Sequence, residues 1–384
     1  MKEIRRVIIL LFATVAVACG NGNKLNLSDF TQIIYKPEYA NGFEVRETKN
    51  LGADGTLITV KNPWQGATDI EQHLLLVDEG QEIPQDFEGQ VARRPIKKTI
   101  CLSSSYVAMF DRLGETDRVA GVSGIDYIMN PRIQERRKTG QTQDVGFDAN
   151  MNFELIAAMN PDLVLLFGVT GENSVLTGKL RELNIPYIYI GEYIEQSPLG
   201  KAEWMMIPAE LCDKREEGRR IFGGIADRYN TLKEQIATSA TKKKPRVMLN
   251  TPYRDTWYLP PKDSYMVRLV EDAGGEYVYP QNTSTYSQNV DVEEAYLLAM
   301  GADVWINTGT WSRIADLREQ APKFTEVPAV KHNRVWNNNL RQTPCGGSDF
   351  WESGVMNPDR VLRDLHMLLN DAPDGTYTYY HKLQ

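Results

Sequence analysis

The chain has 384 residues, of which 42% are hydrophobic, and its 51 acidic and 43 basic side chains give a net charge of −8. This length allows about two domains with sizeable cores. Binding to phosphate backbones needs a sustained basic face, which the sequence lacks, so we expect no nucleic-acid partner.

The first 18 residues have the composition of an export signal. Three basic residues precede the apolar run VIILLFATVAVA, which is too short to span a bilayer as a stable helix. The run ends in AVAC, which resembles the lipobox of bacterial lipoproteins, although Ala16 stands where that motif prefers Leu. We therefore expect residues 1–18 to be a signal peptide, Cys19 to carry a lipid, and residues 19–24 to be a flexible tether. The alternative is an ordinary cleavable signal in which Cys19 has no role.

Residues 25–96 differ in kind from the rest of the chain. The stretches GFEVRET, GTLITVKN and QHLLLVDE alternate or run apolar between Asn and Gly turns, which is typical of strands. We predict a β-rich extension that packs on the lobe after it.

Two parts of the remaining chain repeat one pattern. NMNFELIAAMNPDLVLLFG at 150–168 matches DVEEAYLLAMGADVWINTG at 291–309, each a short helix followed by an apolar run typical of a buried parallel strand. Upstream of them, SYVAMFDRLGETDRVAGVSG and SYMVRLVEDAGGEYVYP each predict a Ser-capped helix, a Gly stop and a strand. The fold class predicted is α/β, with similar lobes at 97–196 and 241–384.

Residues 197–240 separate the two lobes. Pro208 predicts a break, and after it apolar residues recur every three or four positions, which predicts one long amphipathic linking helix. Export would place the chain in an oxidising compartment. In addition to the cysteine expected to carry the lipid, the mature chain contains Cys101, Cys212 and Cys345. Their wide spacing excludes a local CxxC metal knuckle, and one disulfide or three thiols both stay open.

Signatures of enzymes are weak. GENSVLTGKL has six residues between its glycines where a phosphate loop has four, and Leu180 replaces the hydroxyl residue that would hold magnesium. GVSG is not a nucleophile elbow, and the four His residues form no HExxH motif, so we expect no intrinsic metal site or cofactor. An exported α/β hydrolase-like enzyme, with a cleft active site assembled from distant residues, remains the alternative function.

The order of the motifs resembles a known family. The lipobox, ICLSSSYVAMFDRLGETDRVAGVS, DVGFDANMNFELIAAMNPDLVLLFG, the long helix and the second lobe are similar to the helical-backbone (class III) substrate-binding lipoproteins of ABC importers for iron-siderophores, haem and cobalamin. The resemblance covers residues 97–370. It implies two lobes with central parallel sheets joined by one long helix, and a ligand in the cleft at the carboxyl ends of the strands.

The resemblance also implies the biology. The protein would be a monomer, anchored by its lipid in the periplasm, that performs no catalysis and delivers a metal chelate to an ABC permease dimer in the inner membrane. An iron-siderophore is expected first, then cobalamin or haem, so the ligand would carry iron or cobalt.

Aromatic and hydroxyl residues that follow the predicted strands are the candidates for ligand contact, because rings can stack on a flat chelate. They are Ser104, Tyr106, Tyr127, Phe147, Tyr253, Trp257, Trp311 and Trp351. We expect Arg254, Arg313 or Arg341 to neutralise an anionic chelate. The alternative is that most of these aromatic residues belong to the rim or the core.

In the family that the chain resembles, one exposed Glu on each lobe docks into the permease. The NFELIAAMNPD pattern places this role on Glu154. The second lobe departs from the pattern, because Ala295 stands at the matching position, and the role would pass to Glu293 or Glu294. All three could instead be acids that favour a helix start.

Overall fold

The computed structural model describes residues 27–48, 55–81, 83–84, 87–147, 150–239, 243–253, 256–372 and 375–384. The predicted signal peptide, Cys19 and the tether lie outside these ranges. The described chain is mixed α/β, with sheets of five, five, five and three strands.

The N-terminal extension forms the first sheet. Its strands are β1 (Gln32–Tyr35), β2 (Phe43–Glu47), β3 (Gly55–Lys61), β4 (Glu71–Val77) and β5 (Gln90–Arg93). The first four pair antiparallel in sequence order, and β5 runs parallel to β4. Alternate residues face opposite sides, so Ile58 and Leu74 join the main core whereas Leu57 and Leu75 join a small cluster of their own.

The first lobe holds a fully parallel sheet. Its strands are β6 (Thr99–Cys101), β7 (Val119–Val122), β8 (Gln143–Asp144), β9 (Leu163–Leu166) and β10 (Tyr187–Tyr189), in the order β10-β9-β6-β7-β8. Its helices are α1 (Ser104–Arg112), α2 (Pro131–Lys138), α3 (Phe153–Met159) and α4 (Ser174–Glu182). All four residues of β9 are buried, as its continuous apolar run predicts.

Three helices connect the lobes where the sequence predicted one. They are α5 (Pro198–Glu203), α6 (Met206–Leu211) and α7 (Arg215–Ser239). Pro208 is the third residue of α6, a position where a helix tolerates proline, so it is not the break. The break before α7 includes Asp213, which has a left-handed φ of 57°. Helix α7 has 25 residues and is the long connection that the pattern predicted.

The second lobe holds a five-stranded and a three-stranded sheet. Its strands are β11 (Arg246–Leu249), β12 (Pro252–Tyr253), β13 (Thr256–Leu259), β14 (Glu276–Tyr277), β15 (Gln288–Asp291), β16 (Val304–Ile306), β17 (Val335–Asn337) and β18 (His381–Lys382). The larger sheet has the order β14-β11-β16-β17-β18, with β18 antiparallel to β17, and the smaller has the order β12-β13-β15. The helices are α8 (Tyr265–Asp272), α9 (Val292–Met300), α10 (Ile314–Gln320), α11 (Pro328–Lys331) and α12 (Pro358–Leu369).

The internal repeat is present in the topology. Counted along the chain, four strands of the two large sheets correspond: β6, β7, β9 and β10 in one lobe and β11, β14, β16 and β17 in the other. In both sheets these four strands stand side by side in the same order: second, first, third, fourth. The repeated strands β9 and β16 each lie beside the opening strand of their lobe. The helix-strand repeats of the sequence are α3–β9 and α9–β16, so the prediction of two similar lobes is confirmed.

Buried carboxylates attach the extension to the connecting helices. Glu203, which is 1% exposed, accepts four hydrogen bonds from the extension: from Tyr35 Oη at 2.7 Å, Glu38 N at 2.8 Å, Tyr39 N at 2.7 Å and Ala40 N at 2.7 Å. Glu195 accepts from Asn41 N at 3.0 Å and from Trp204 Nε1 at 2.9 Å. Strand β4 also contacts β10 of the first lobe. The extension therefore packs on the connecting helices as well as on the first lobe.

Three cysteines lie in the described part of the chain, and all three are free thiols. Cys101 and Cys212 are buried, whereas Cys345 is exposed. Burial raises the pKa of Cys212 to about 12, which keeps this thiol protonated at neutral pH.

Candidate functional site

A cavity of about 770 Å³ lies between the lobes, at the carboxyl ends of their parallel strands. The first lobe contributes residues 103–105, after β6, and residues 192–196, after β10. The second lobe contributes Asn250, after β11, and the start of α8. Residues 62 and 64–68 of the N-terminal extension form a further part of the wall. The volume is that of a site for a small-molecule ligand.

A buried polar network forms one side of this cavity. The Ser105 hydroxyl donates to Glu192 Oε1 at 2.8 Å, and Lys201 Nζ lies 2.7 Å from Glu192 Oε2. Lys201 also donates to the Glu192 carbonyl at 2.8 Å. Both charged side chains are less than a tenth exposed, so they neutralise each other away from water.

Aromatic rings surround the lysine of this network. Lys201 Nζ lies 5.2 Å from the ring centroid of Tyr265 and 5.9 Å from that of Tyr193. Burial raises the pKa of the Tyr265 phenol, which therefore stays neutral. Tyr193 remains 48% exposed on the cavity wall and offers its ring to a ligand.

Two helices begin at the cavity. Helix α1 starts at Ser104 and α8 starts at Tyr265, and both residues line the wall. The sequence predicted serine caps at Ser105 and Ser264; Ser264 is an N-cap, but the first helix begins earlier than predicted and its N-cap is Ser103. Neither N-cap serine makes a side-chain capping bond, and Ser103 Oγ instead lies 2.8 Å from Ser105 Oγ. The first N–H groups of a helix have no partner inside it, so both helix starts can donate hydrogen bonds to acceptor atoms in the cavity.

Two of the predicted ligand residues line the cavity, namely Ser104 and Trp351. Trp351 is 47% exposed and packs edge-on against Phe350, with ring centroids 4.7 Å apart. Ligand contact by these two residues stays a prediction, and the geometry is compatible with it.

Three predicted ligand residues belong to the core, which corrects the prediction. Tyr106, Trp257 and Trp311 are at most 3% exposed. Their polar atoms donate within the protein: Tyr106 Oη to Leu166 O at 3.2 Å and Ile190 O at 3.1 Å, Trp257 Nε1 to Leu249 O at 2.8 Å, and Trp311 Nε1 to Gln320 Oε1 at 2.9 Å. Covered rings with satisfied polar atoms have nothing to offer a ligand.

Three other predicted aromatic residues are exposed but do not line the cavity. Tyr127, Phe147 and Tyr253 are 47%, 48% and 62% exposed. Phe147 and Phe167 line a separate groove of about 450 Å³ on the first lobe. Their contact with a ligand stays a prediction without support from the cavity geometry.

Two of the arginines predicted to neutralise an anionic ligand are not among the residues that line the cavity. Arg254 lies outside the described residues. Arg341 pairs with Asp349 at 3.0 Å and Arg313 with Asp316 at 2.9 Å, and neither arginine lines the cavity. Among the described lining residues the only basic side chain is Lys201. Neutralisation of a ligand by Arg341 or Arg313 therefore stays a prediction without support from the cavity geometry.

A buried carboxyl group beside the cavity joins the two lobes. Glu352 of the second lobe accepts from the backbone N of Met129 in the first lobe at 2.7 Å. This carboxyl is 2% exposed, and its burial raises its pKa to about 7. Its ionisation state is therefore sensitive to pH near neutrality.

The predicted docking residues lie on equivalent helices. Glu154 is in the first turn of α3, and Glu293 and Glu294 are in the first turn of α9. Glu293 accepts a hydrogen bond from Lys323 Nζ at 2.8 Å, which lowers its pKa. Within the described residues no ion pair involves Glu154 or Glu294, so these two are the carboxylates available to a partner.

Several residues of the cavity escaped the sequence prediction. Glu192 and Tyr193 follow β10 in the stretch GEYIEQ, so the strand-end rule that selected Ser104 could have found them. Lys201 lies inside α5 and carries no strand-end signal. Residues 62–68 follow β3, but β3 belongs to the antiparallel part of the extension, where the rule for parallel strands does not apply.

Neither a cluster of metal-ligand side chains nor a membrane-spanning helix is found in the described part of the chain. No group of three or more His, Cys, Asp or Glu side chains there is arranged to hold a metal ion. In the same ranges, no helix combines the length and apolar character that crossing a bilayer requires.

Comparison with known proteins agrees with the fold. A family model described as "Periplasmic binding protein" matches residues 100–337, more than half of the chain. An uncharacterized lipoprotein of Methanocaldococcus jannaschii is 28% identical over 412 residues, which cover 99% of this chain and 96% of the relative.

Solved structures match over much of the chain. A periplasmic heme-binding protein of Pseudomonas aeruginosa matches with a TM-score of 0.58 and 15% identity over 75% of this chain and 98% of its own. A siderophore-binding protein of Vibrio cholerae, crystallised with Fe3+–Desferal, matches with a TM-score of 0.51 and 16% identity over 70% of this chain and 98% of its own. The repeated lobes, the cavity between them and the matching family model together show that the chain belongs to the periplasmic binding protein family.

Proposed function

We propose that this protein is the substrate-binding protein of an ABC importer, anchored by a lipid on Cys19, that captures a metal chelate and delivers it to a permease dimer. The observation that carries the proposal is the cavity of about 770 Å³ between the strand ends of the two lobes. The structural relatives that bind haem and a ferric siderophore share the two-lobe fold. The full-length relative is a lipoprotein, which supports the anchor.

The charge of the lining narrows the class of chelate. Lys201 is already neutralised by Glu192. Glu195 accepts hydrogen bonds from Asn41 N and Trp204 Nε1. An anionic ligand would lose its hydration without gaining an unpaired cation from the described lining. We therefore place a neutral or cationic ferric siderophore first, cobalamin second, and haem, with its carboxylates, last.

The binding test compares chelates of different charge. Quenching of tryptophan fluorescence is measured with ferrioxamine B, an anionic ferric catecholate, cyanocobalamin and haemin. We expect ferrioxamine B to bind at least tenfold more tightly than the catecholate. Binding to none of the four would overturn the proposal, and a preference for the catecholate would overturn the charge argument.

A matched pair of variants tests whether the chelate occupies this cavity. Tyr193 and Tyr127 are 48% and 47% exposed, but only Tyr193 lines the cavity. We expect Tyr193→Ala to weaken binding at least fivefold, because a stacking ring is lost. Tyr127→Ala should leave the affinity unchanged, and the reverse pattern would place the ligand on the first lobe outside the cavity.

Docking to the permease is assigned to Glu154 and Glu294. A docking carboxylate is dispensable for the isolated protein, so Glu154→Lys with Glu294→Lys should leave the melting temperature and the ligand affinity nearly unchanged. The double variant should lose stimulation of the transporter ATPase in proteoliposomes. The control is Glu216→Lys on α7, a side chain that is 86% exposed. Stimulation retained by the double variant would contradict the assignment.

A further inference from the structure

The loop between β3 and β4, residues Asn62–Ile70, has a built shape; we call it the cleft loop. Its base is closed by two hydrogen bonds, from Asn62 N to Ile70 O at 2.8 Å and from Ile70 N to Asn62 Oδ1 at 3.0 Å. Asn62 and Asp69 both have a left-handed φ, of 46° and 57°. Local side-chain and backbone bonds of this kind give a loop one conformation.

The cleft loop is fastened to the first lobe. Trp64, which is 9% exposed, packs edge-on against Tyr189 with ring centroids 5.2 Å apart. The Gln65 backbone N–H donates to the Val169 carbonyl at 3.0 Å. Gly168 lies so close that a Cβ there would be 3.1 Å from Trp64. These contacts hold the loop beside the carboxyl end of β9.

The tip of the same loop touches the second lobe. Gly66 has a φ of +78°, and a Cβ on it would lie 2.2 Å from Tyr286 Oη. The neighbours of Tyr286, Thr285 and Ser287, line the cavity. The cleft loop therefore reaches from one lobe to the other along the cavity, and only glycine fits at its tip.

The loop also stands between two recesses. Its residues 62 and 64–68 line the inter-lobe cavity of about 770 Å³. On its other side it contacts Gly168 and Val169, which line the first-lobe groove of about 450 Å³. Without the loop, the strand ends of the first lobe would present one wider surface.

We propose that the cleft loop is a wall of the ligand site that limits the size of the chelate and thereby sets selectivity. The N-terminal sheet is then part of the binding machinery and not an appendage. This inference rests on the proposed function, because it needs a ligand in the inter-lobe cavity. Gln65 and Thr68, which line the cavity from the loop, are the residues placed to contact the ligand.

A loop replacement tests the inference. Lys61 pairs directly with Glu71 across β3 and β4, so an Asn-Gly turn can replace residues 62–70 without changing the register. The affinities of wild type and variant for ferrioxamine B and for the larger cyanocobalamin are measured by fluorescence quenching. We expect the affinity ratio to shift at least tenfold toward cyanocobalamin in the variant. If the affinity ratio of the variant is within threefold of the wild-type ratio, the inference is overturned and the proposed function is left intact. If the wild-type protein binds none of ferrioxamine B, cyanocobalamin, haemin and the ferric catecholate, the inference and the proposed function are both overturned.

A point variant covers the case in which the shortened protein does not fold. Thr68 is exposed on the cavity wall, so Thr68→Trp adds bulk there and leaves the Trp64 and Gln65 anchors in place. We expect it to weaken binding of the preferred chelate at least tenfold. The control is Thr31→Trp, the same change at an exposed threonine outside the cavity. Equal affinities of the two variants would overturn the inference.

Discussion

Replacing Glu203 with Gln should loosen the N-terminal sheet from α5. Each oxygen of the buried carboxylate accepts two hydrogen bonds: Oε1 from Tyr35 Oη and Glu38 N, and Oε2 from Tyr39 N and Ala40 N. A glutamine keeps one oxygen and turns an NH2 group toward the other two donors. A hydrogen bond to a charged group contributes about 1.5–3 kcal/mol, so losing two should lower the free energy of unfolding by about 3–6 kcal/mol.

Urea unfolding followed by circular dichroism measures this loss. The control is Glu216→Gln on α7, where the side chain is 86% exposed and its ion pair with Arg219 has an N–O distance of 3.5 Å. An exposed pair of this kind contributes about 0.5 kcal/mol or less. A loss below about 1 kcal/mol for Glu203→Gln would refute the reasoning, because it would mean that the four donors find other acceptors.

Three further predictions concern the core, the lobe contact and the motion of the lobes. Trp257→Ala should lower the free energy of unfolding by about 3–5 kcal/mol, measured by thermal unfolding, because this ring is fully buried. Trp351→Ala, at a ring that is 47% exposed, should lower it far less. Equal losses for the two variants would contradict the burial argument. The pKa of Glu352 is about 7 when folded and 4.5 ordinarily, so its stabilising contribution is complete below pH 4.5 and is lost as pH rises through 7. Glu352→Gln should therefore flatten the decline in melting temperature between pH 5 and 8, and an unchanged decline would contradict this. Because α7 is a stiff connection, small-angle scattering with and without ligand should show only a slight change in radius of gyration, and a contraction of several ångströms would contradict it.

Prediction of the site from the sequence succeeded only in part, and α1 shows why. Ser104 and Tyr106 both follow β6, so the strand-end rule selects both. Two residues apart on a helix point in nearly opposite directions, and in the structure Ser104 lines the cavity while Tyr106 is fully buried. Which of the two directions faces the cleft depends on how the helix packs on its sheet. That packing involves β9 and β10, some sixty to eighty residues away.

The N-terminal extension also shows which features the sequence can predict and which it cannot. Its alternating apolar pattern predicts strands correctly, because each strand buries one or both faces and the pattern is local. No local signal in residues 62–70 indicates that they reach two lobes, because Trp64 meets Tyr189 and Gly66 meets Tyr286 only after both lobes have formed. The sequence likewise gives no indication that Arg341 is paired, because Asp349 lies beside it only in the folded chain.

The sequence by itself determined the α/β class, the two lobes of one plan and the long connecting helix, since hydrophobic periodicity and internal repetition are properties of neighbouring residues. Only the tertiary structure decided which side chains form the ligand cavity. Burial and the position of the cleft loop depend on contacts between residues that are distant along the chain, or on the side of a helix that faces its sheet. The neutralisation of Lys201 by Glu192, nine residues away, depends on how α5 packs against the segment after β10. Such contacts leave no periodic trace in one sequence, because each is made by a single pair of residues.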